Sequence, residues 1–146
     1  VLAAVEGLTA GKLQMWLSRG LLKLEQDQSP GTGQRRLWTG FEVIKVAALH
    51  YYTENYELPV SVVSHWIAPL VEGRAHEFVA APKKLQAAKK RPAKHSVRLV
   101  ALSKGHWIED IFGEHSGFAG RIEVFPDVLI LTVVDNLAGR RMSRNE

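Results

Sequence analysis

Apolar residues in the first part of the chain recur three and four positions apart, which is the spacing of a helix that buries one side. This spacing predicts a helix over residues 10–19. Thr9 is suited to cap its first turn, and Gly20 to end it. Residues 1–6 are predicted to be the end of a short helix, so the order is helix, glycine-containing turn, helix. The apolar residues that carry the spacing are Leu13, Trp16 and Leu17.

Two longer helices are predicted next, over residues 40–56 and 60–71. Thr39 is a suitable N-cap for the first of them. Pro59 separates the two, because proline is favoured at the start of a helix and disfavoured inside one. Gly73 is predicted to end the second helix. The apolar stripe that predicts the first helix consists of Phe41, Ile44, Ala48 and Tyr52.

A β-hairpin is predicted between the first two of these helices. Two short apolar runs, at residues 21–25 and 35–38, flank a polar stretch that contains Ser29, Pro30 and Gly31. Residues of these types favour a loop longer than a two-residue turn. The N-terminal half is therefore predicted to be mostly helical, with a hairpin that projects from it.

The pattern changes in the second half of the chain. A helix over residues 74–92, broken at Pro82, is followed by a segment over 96–102 that alternates like a strand. Asp127 and Asp135 are predicted to lie in surface turns at the ends of a last, nearly all-apolar strand. The expected fold class is α+β, with a small antiparallel β-sheet after the helical part. The further strands are predicted over residues 107–112, 121–125 and 127–134.

Positive charge is concentrated in the second half of the chain. The net charge is +4. Residues 1–73 hold six Lys and Arg against seven Asp and Glu, whereas residues 74–146 hold thirteen against eight. The stretch 83–98 contains seven basic residues and no acidic one. Such a stretch attracts polyanions, although a solvated connector would have the same composition.

Several residues of the first 70 positions occur in a characteristic order. They are Gly7, Leu8, Thr9, Leu13, Trp16, Gly20, Leu21, Gly31, Gly33, Arg35, Arg36, Leu37, Trp38, Thr39, Val43, Ile44, Val46 and Leu49. This order resembles that of the MerR superfamily, in which a recognition helix ends in Gly-Leu and a wing ends in the sequence Arg-x-aromatic-Ser/Thr. The resemblance covers about half of the chain and implies a winged helix-turn-helix that binds double-stranded DNA.

With this resemblance the chain divides into three predicted parts. Residues 1–73 are expected to form the winged helix-turn-helix domain. Residues 74–95 are expected to be a basic helical connector. Residues 96–146 are expected to be a β-rich module that dimerises or senses a ligand.

The resemblance makes residues 10–19 the recognition helix, whose N-terminal residues would face base edges in the major groove. Gln and Lys side chains there can bond adenine, guanine or phosphate. Basic residues of the wing and of the connector would bind phosphates. Arg19 is equally well explained as a solvated cation at a helix end. The residues expected to contact DNA are Thr9, Lys12, Gln14, Arg19, Arg35, Arg36, Lys89, Lys90 and Arg91.

Two features depart from the better-known members of the superfamily. Residues 14–18 read Gln, Met, Trp, Leu, Ser, where many members carry basic residues, so base specificity does not carry over. No heptad pattern follows Leu70, so the usual coiled-coil dimer is not expected.

Three functions remain open at this point. The first is a DNA-binding transcriptional regulator that acts as a homodimer in the cytoplasm. The second is an architectural or accessory DNA-binding protein of recombination or phage packaging, with sequence-independent phosphate contacts. The third is a protein-interaction module with a winged-helix fold.

Other classes of function find little support. The absence of cysteine excludes disulfides and thiolate metal sites. A loose group of acidic and histidine residues over 106–115 is better explained as a solvated loop than as a metal site. No phosphate-binding loop or nucleophile elbow occurs. The longest apolar run, at 128–134, is too short to span a membrane. We expect no enzymatic activity, cofactor, metal or membrane partner.

Overall fold

The computed structural model describes residues 1–24, 37–90, 97–103, 106–109 and 121–143, and side chains within residues 1–24, 37–90 and 124–139. The helices are α1 (Ala10–Ser18), α2 (Gly40–Tyr56), α3 (Val60–Val62), α4 (Ala68–Ala80), α5 (Pro82–Lys90) and α6 (Pro126–Ser143). A π-helical turn, Val63–Ile67, joins α3 to α4. The strands are β1 (Val97–Ser103), β2 (His106–Glu109) and β3 (Arg121–Val124).

The helix predicted over residues 10–19 is confirmed as α1, which ends one residue earlier. The Thr9 hydroxyl accepts a hydrogen bond of 3.2 Å from the Lys12 backbone N–H, which satisfies one of the free donors of the first turn. Gly20 has a φ of +66°, a conformation that lacks a steric penalty only for glycine. Trp16 is fully buried and anchors the helix to the core.

The second predicted helix is confirmed as α2, and its start is fixed by a capping box. The Thr39 hydroxyl accepts from the Glu42 N–H at 3.2 Å, and the Glu42 carboxylate accepts from the Thr39 N–H at 2.7 Å. The backbone N–H groups of Thr39 and Glu42, which have no partner within the helix, are thereby both hydrogen-bonded. Eight of the 17 residues of α2 are buried, and α2 packs against α4, α6 and the π-helical turn, so this helix is the centre of the fold.

The predicted helix end at Gly73 is wrong, because α4 continues to Ala80. Val71, Ala75 and Phe78 continue one buried stripe across the glycine, and a Cβ at Gly73 would meet only open space. Packing on both sides therefore outweighs the weak helix propensity of one exposed glycine. The expected domain boundary between residues 73 and 74 lies inside this helix.

The π-helical turn ends two residues before Pro69. Proline lacks an N–H and its ring clashes with the carbonyl four residues earlier, here that of His65. A π-helical turn widens the helix at this point and lets the chain remain helical from Val60 to Ala80. The helix therefore changes its hydrogen-bonding pattern at this point and does not end.

The core lies where α2 packs against α4, the π-helical turn and α6. Asn136 of α6 also donates a hydrogen bond of 3.0 Å to the Ala4 carbonyl, so the C-terminal helix contacts the N-terminal segment directly. The largest fully buried side chains include Trp16, Leu49, Ile67, Val71 and Val124. Segments from both halves of the sequence thus share one core.

The strand predicted over residues 127–134 is wrong, since this segment forms the first half of α6. Pro126 occupies the first helical position, where its fixed φ is suitable, and Asp127 lies in the first turn, where a carboxylate is favoured. Ile130 and Val133 face the core. Asp127 is not in a surface turn: its exposed fraction is 0%, and its carboxylate is hydrogen-bonded to Arg74.

The predicted α+β fold class is also wrong. Within residues 1–24, 37–90 and 124–139 the regular elements are helices, apart from the last residue of β3, and the core is formed between helices. The short strands pair with one another in the order β2-β1-β3, with Val97 opposite Val124. The tip of the predicted hairpin lies outside the described residues, and its described flanks, 21–24 and 37–39, form no strand.

Candidate nucleic-acid interface

One face of α1 points away from the protein. Successive residues of an α-helix are rotated by about 100°, so residues spaced by three, four and seven positions share a face. The opposite face packs Trp16 into the core, with Leu13 and Leu17 half-buried beside it. α1 contains no acidic residue. The side of α1 that is open to solvent consists of Ala10, Gly11, Gln14 and Ser18.

The chain lies close to helices of the core on both sides of α1. Before the helix, Gly7 has a φ of +78°, and a Cβ at this position would stand 3.2 Å from Nε2 of His50. After the helix, the Ser64 hydroxyl donates a hydrogen bond of 2.6 Å to the Leu21 carbonyl. The Ser64 hydrogen bond joins the turn after α1 to the core, and before α1 the Gly7 backbone lies close to the His50 ring of α2. The exposed face of α1 is therefore held by the core on two sides.

The residues of α1 that the sequence singles out have different environments. Thr9 serves as the N-cap, and its hydroxyl is engaged with the backbone of Lys12. Gln14 lies at the centre of the exposed face. Arg19 is exposed at the C-terminal end, where a cation is favourable beside the helix dipole. The exposed face therefore offers one long polar side chain surrounded by small residues.

Lys12 does not belong to the exposed face. Its ammonium group forms an ion pair with the carboxylate of Glu54 on α2 and lies 5.8 Å from the centroid of the Trp16 ring. On the helix it stands beside Trp16, at the edge nearest to α2. Lys12 can therefore contact DNA, as predicted, only if its ammonium group leaves the carboxylate of Glu54.

Glu54 and His50, both on α2, are site residues that the sequence did not indicate. Glu54 is 42 positions away from Lys12, and no local pattern links residues so far apart. Burial of the His50 ring and the nearby Lys12 ammonium lower the pKa of His50, opposed by a hydrogen bond with the backbone of Glu6. Lys12 of α1 thus lies near Glu54 and His50 of α2, where the two helices meet.

A second basic element is separate from α1. Lys89 and Lys90 are exposed in the last turn of α5, which packs against α4. Lys83 is exposed at the start of the same helix, whereas Lys84 lies 3.4 Å from the carboxylate of Glu77. The expected DNA contacts Arg35, Arg36 and Arg91 lie outside the described residues.

Sites of other kinds are not formed by the part of the chain that the structure describes. Among these residues no group of three His, Asp or Glu side chains is arranged to hold a metal ion. Of the described helices, none combines the length and the apolar character needed to cross a membrane. The expected absence of a cofactor is not tested by these findings.

Comparison with protein-family models, with curated proteins and with solved structures finds no match to this chain. The resemblance to the MerR superfamily therefore stays a prediction from the sequence.

Proposed function

We propose that the chain binds double-stranded DNA as a MerR-like transcriptional regulator in the cytoplasm, with the exposed face of α1 in the major groove. One observation carries the proposal: a short, firmly held helix presents an acid-free face whose central side chain is Gln14. A helix of this kind fits the major groove, which is wide enough to admit it.

The residues around Gln14 support a close approach to DNA. Gly11, which has only a hydrogen atom as its side chain, and Ser18, whose side chain is small, flank Gln14 along the helix. The backbone can therefore come near the base edges without a steric clash. An amide such as that of Gln14 can form two hydrogen bonds with adenine, an arrangement that discriminates by about 1–3 kcal/mol against the wrong base.

Architectural DNA binding is a second candidate, favoured by the exposed lysines of α5. Lys83, Lys89 and Lys90 extend from a helix that carries no acidic residue. Contacts of lysine with phosphate carry no sequence information and are sensitive to salt. In this alternative α5 would supply most of the affinity, and Gln14 little specificity.

Selection of bound sequences from a random duplex pool, at about 50 and 200 mM salt, tests the proposal. A regulator enriches one motif, and a homodimer enriches two half-sites related by two-fold symmetry. Binding that is salt-sensitive but enriches no motif supports the architectural role. No salt-sensitive binding at either concentration contradicts both and leaves the protein-interaction module as the remaining function.

A further inference from the structure

A cleft lies between the turn after α1, helix α2 and the segment formed by the π-helical turn and α4. Its volume of about 390 Å³ lies within the range of about 300–1,000 Å³ that is usual for small-molecule sites. Leu22, Leu49 and Ala68 line the cleft and are themselves buried, so one part of its surface is apolar. This part can take up the apolar body of a ligand.

Two contacts join the walls of the cleft. The Ser64 hydroxyl donates a hydrogen bond of 2.6 Å to the Leu21 carbonyl, and Nζ of Lys45 on α2 lies 3.1 Å from the carboxylate of Glu72 on α4. The π-helical turn supplies both Ser64 and the adjacent His65 to the cleft, and turns of this kind are frequent at functional sites. The cleft is therefore formed before a ligand binds, which lowers the cost of ordering its walls on binding.

The charges of the cleft favour an anion. Two ammonium groups, those of Lys23 and Lys45, stand against the one carboxylate of Glu72, so the net charge is +1 with His65 neutral. The side chain of Lys45 has an exposed fraction of 22%, and the attraction of an opposite charge is stronger where a group is partly removed from water. An ammonium group has three N–H donors, and Glu72 is the one ion-pair partner of Lys45 among the described residues. Lys45 can therefore hold a second anionic partner.

We infer that the cleft binds a small molecule that carries one carboxylate on an apolar body, with the carboxylate held by Lys45 and the body against the apolar part of the cleft. A single negative charge balances the net charge of the cleft, whereas a dianion such as phosphate is repelled more strongly by Glu72. The inference goes beyond the proposed function and does not depend on whether the chain binds DNA.

Titration of the whole chain with phenylbutyrate at neutral pH tests the inference, with the NMR shifts of the backbone amides as the readout. Phenylbutyramide is the matched probe without a charge, and phenylbutylamine is the matched probe of opposite charge. We expect saturable shifts at residues 20–23, 45 and 64–68. Phenylbutyrate should bind about tenfold more tightly than phenylbutyramide, the factor that a hydrogen bond between charged groups contributes, and phenylbutylamine should bind most weakly. Equal affinities of the acid and the amide, or shifts only outside these residues, overturn the inference.

Lys45→Met combined with Glu72→Gln tests which group holds the carboxylate. One positive and one negative charge are removed together, so the net charge of the cleft is unchanged. We expect the affinity for phenylbutyrate to fall by about tenfold, to that for phenylbutyramide. Lys84→Met combined with Glu77→Gln is the matched control, because it makes the same two changes in an exposed ion pair outside the cleft. The control should bind phenylbutyrate like the wild-type chain.

Urea unfolding of both double variants verifies that each is folded. An unchanged affinity for phenylbutyrate in the folded Lys45 variant, or an equal loss in the control, overturns the inference. If the Lys45 variant does not fold, the comparison of the three probes on the wild-type chain still tests the inference. None of these measurements involves DNA, so the proposed function stands or fails separately.

Discussion

The Arg74 guanidinium holds the buried Asp127 carboxylate through two hydrogen bonds, from Nε at 2.8 Å and from Nη2 at 3.3 Å. Arg74 belongs to α4 and Asp127 to the first turn of α6, so the pair joins these two helices across 53 positions of the sequence. The carboxylate has an exposed fraction of 0%, and the side chain of Arg74 also packs against the Phe78 ring. This buried ion pair therefore contributes to the docking of α6 together with the apolar contacts of Ile130 and Val133.

Arg74→Met tests this contribution. Methionine keeps the apolar contact with Phe78 and leaves Asp127 charged, buried and without its guanidinium partner. We expect the free energy of unfolding, measured with urea, to fall by about 3–5 kcal/mol. Glu77→Gln is the control, because it removes the exposed partner of Arg74, and it should cost no more than about 1 kcal/mol. Equal losses in the two variants would show that Asp127 does not hold α6.

Two glycines of the α1 region are expected to respond to alanine in opposite directions. Gly20→Ala places a Cβ on a residue with a φ of +66° and should destabilise the protein by roughly 1–2 kcal/mol. Gly11→Ala lies within the helix, where a new Cβ meets no atom within 4 Å. It should stabilise by about 0.4–1 kcal/mol, because alanine has less freedom to lose on folding. Urea unfolding measures both, and a shift of the same sign in both would contradict the assigned end of α1.

These two ends of α1 are the kind of feature that a sequence predicts well. The N-cap at Thr9 and the C-terminal glycine act through backbone groups within one helical turn, so their residue types are sufficient. The capping box of α2 is local in the same way: Thr39 and Glu42 are three positions apart. Local chemistry therefore predicted where α1 and α2 begin.

The segment at residues 127–134 could not be assigned in the same manner. A short run that is nearly all apolar suits a buried strand and a buried helix equally. Its helical state follows from α2 and α4, against which Ile130 and Val133 pack, and from the partner that Arg74 offers to Asp127. Pro126 followed by an acidic residue is a helix-start signal that the apolar run obscured. Long-range packing decided this element.

In the candidate site, too, the sequence predicts the local features but not the long-range contacts. Gln14 and Arg19 were predicted to be at the DNA-facing helix, and the structure leaves both exposed. The engagement of Lys12 with Glu54 was not foreseeable, since it depends on how α1 and α2 pack. The sequence therefore predicts the composition of this helix, and the fold decides which of its charges are free.

His50 is expected to make the stability of the protein depend on pH. Its Nδ1 atom is buried and has no hydrogen-bond partner among the described residues, and burial with the nearby Lys12 ammonium lowers its pKa. Because the folded pKa lies below the ordinary value of 6.5, the unfolded chain takes up the proton first as the pH falls. The stabilising contribution is therefore present above the ordinary pKa of 6.5 and is lost as the pH falls from this value through the lower folded pKa.

His50→Gln should reduce this loss. Urea unfolding of the wild-type chain and of the variant is compared one unit above and one unit below the ordinary pKa of 6.5. The wild-type chain should lose more of its free energy of unfolding between the two conditions than the variant does. The same loss in both proteins would show that the pKa of His50 does not differ between the folded and unfolded states.

The lysines of α5 are expected to contribute to DNA affinity without affecting the fold. Lys89→Gln combined with Lys90→Gln leaves the buried Ala88 in place and changes only exposed side chains. If both lysines contact phosphates, the salt slope of binding becomes shallower by about 1.8, or about 0.9 for each contact. A slope equal to that of the wild-type chain would place α5 away from DNA and remove the support for the architectural role.

The central claim is that the exposed face of α1 enters the major groove of DNA, and Gln14→Glu tests it most directly. The change places one negative charge at the centre of this face, and Thr132→Glu places the same charge on the exposed side of α6. Fluorescence anisotropy with a labelled duplex measures both variants. We predict that Gln14→Glu weakens binding by about tenfold or more, the loss expected for a bidentate base contact, while Thr132→Glu binds like the wild-type chain. Equal affinities of the two variants would contradict the claim.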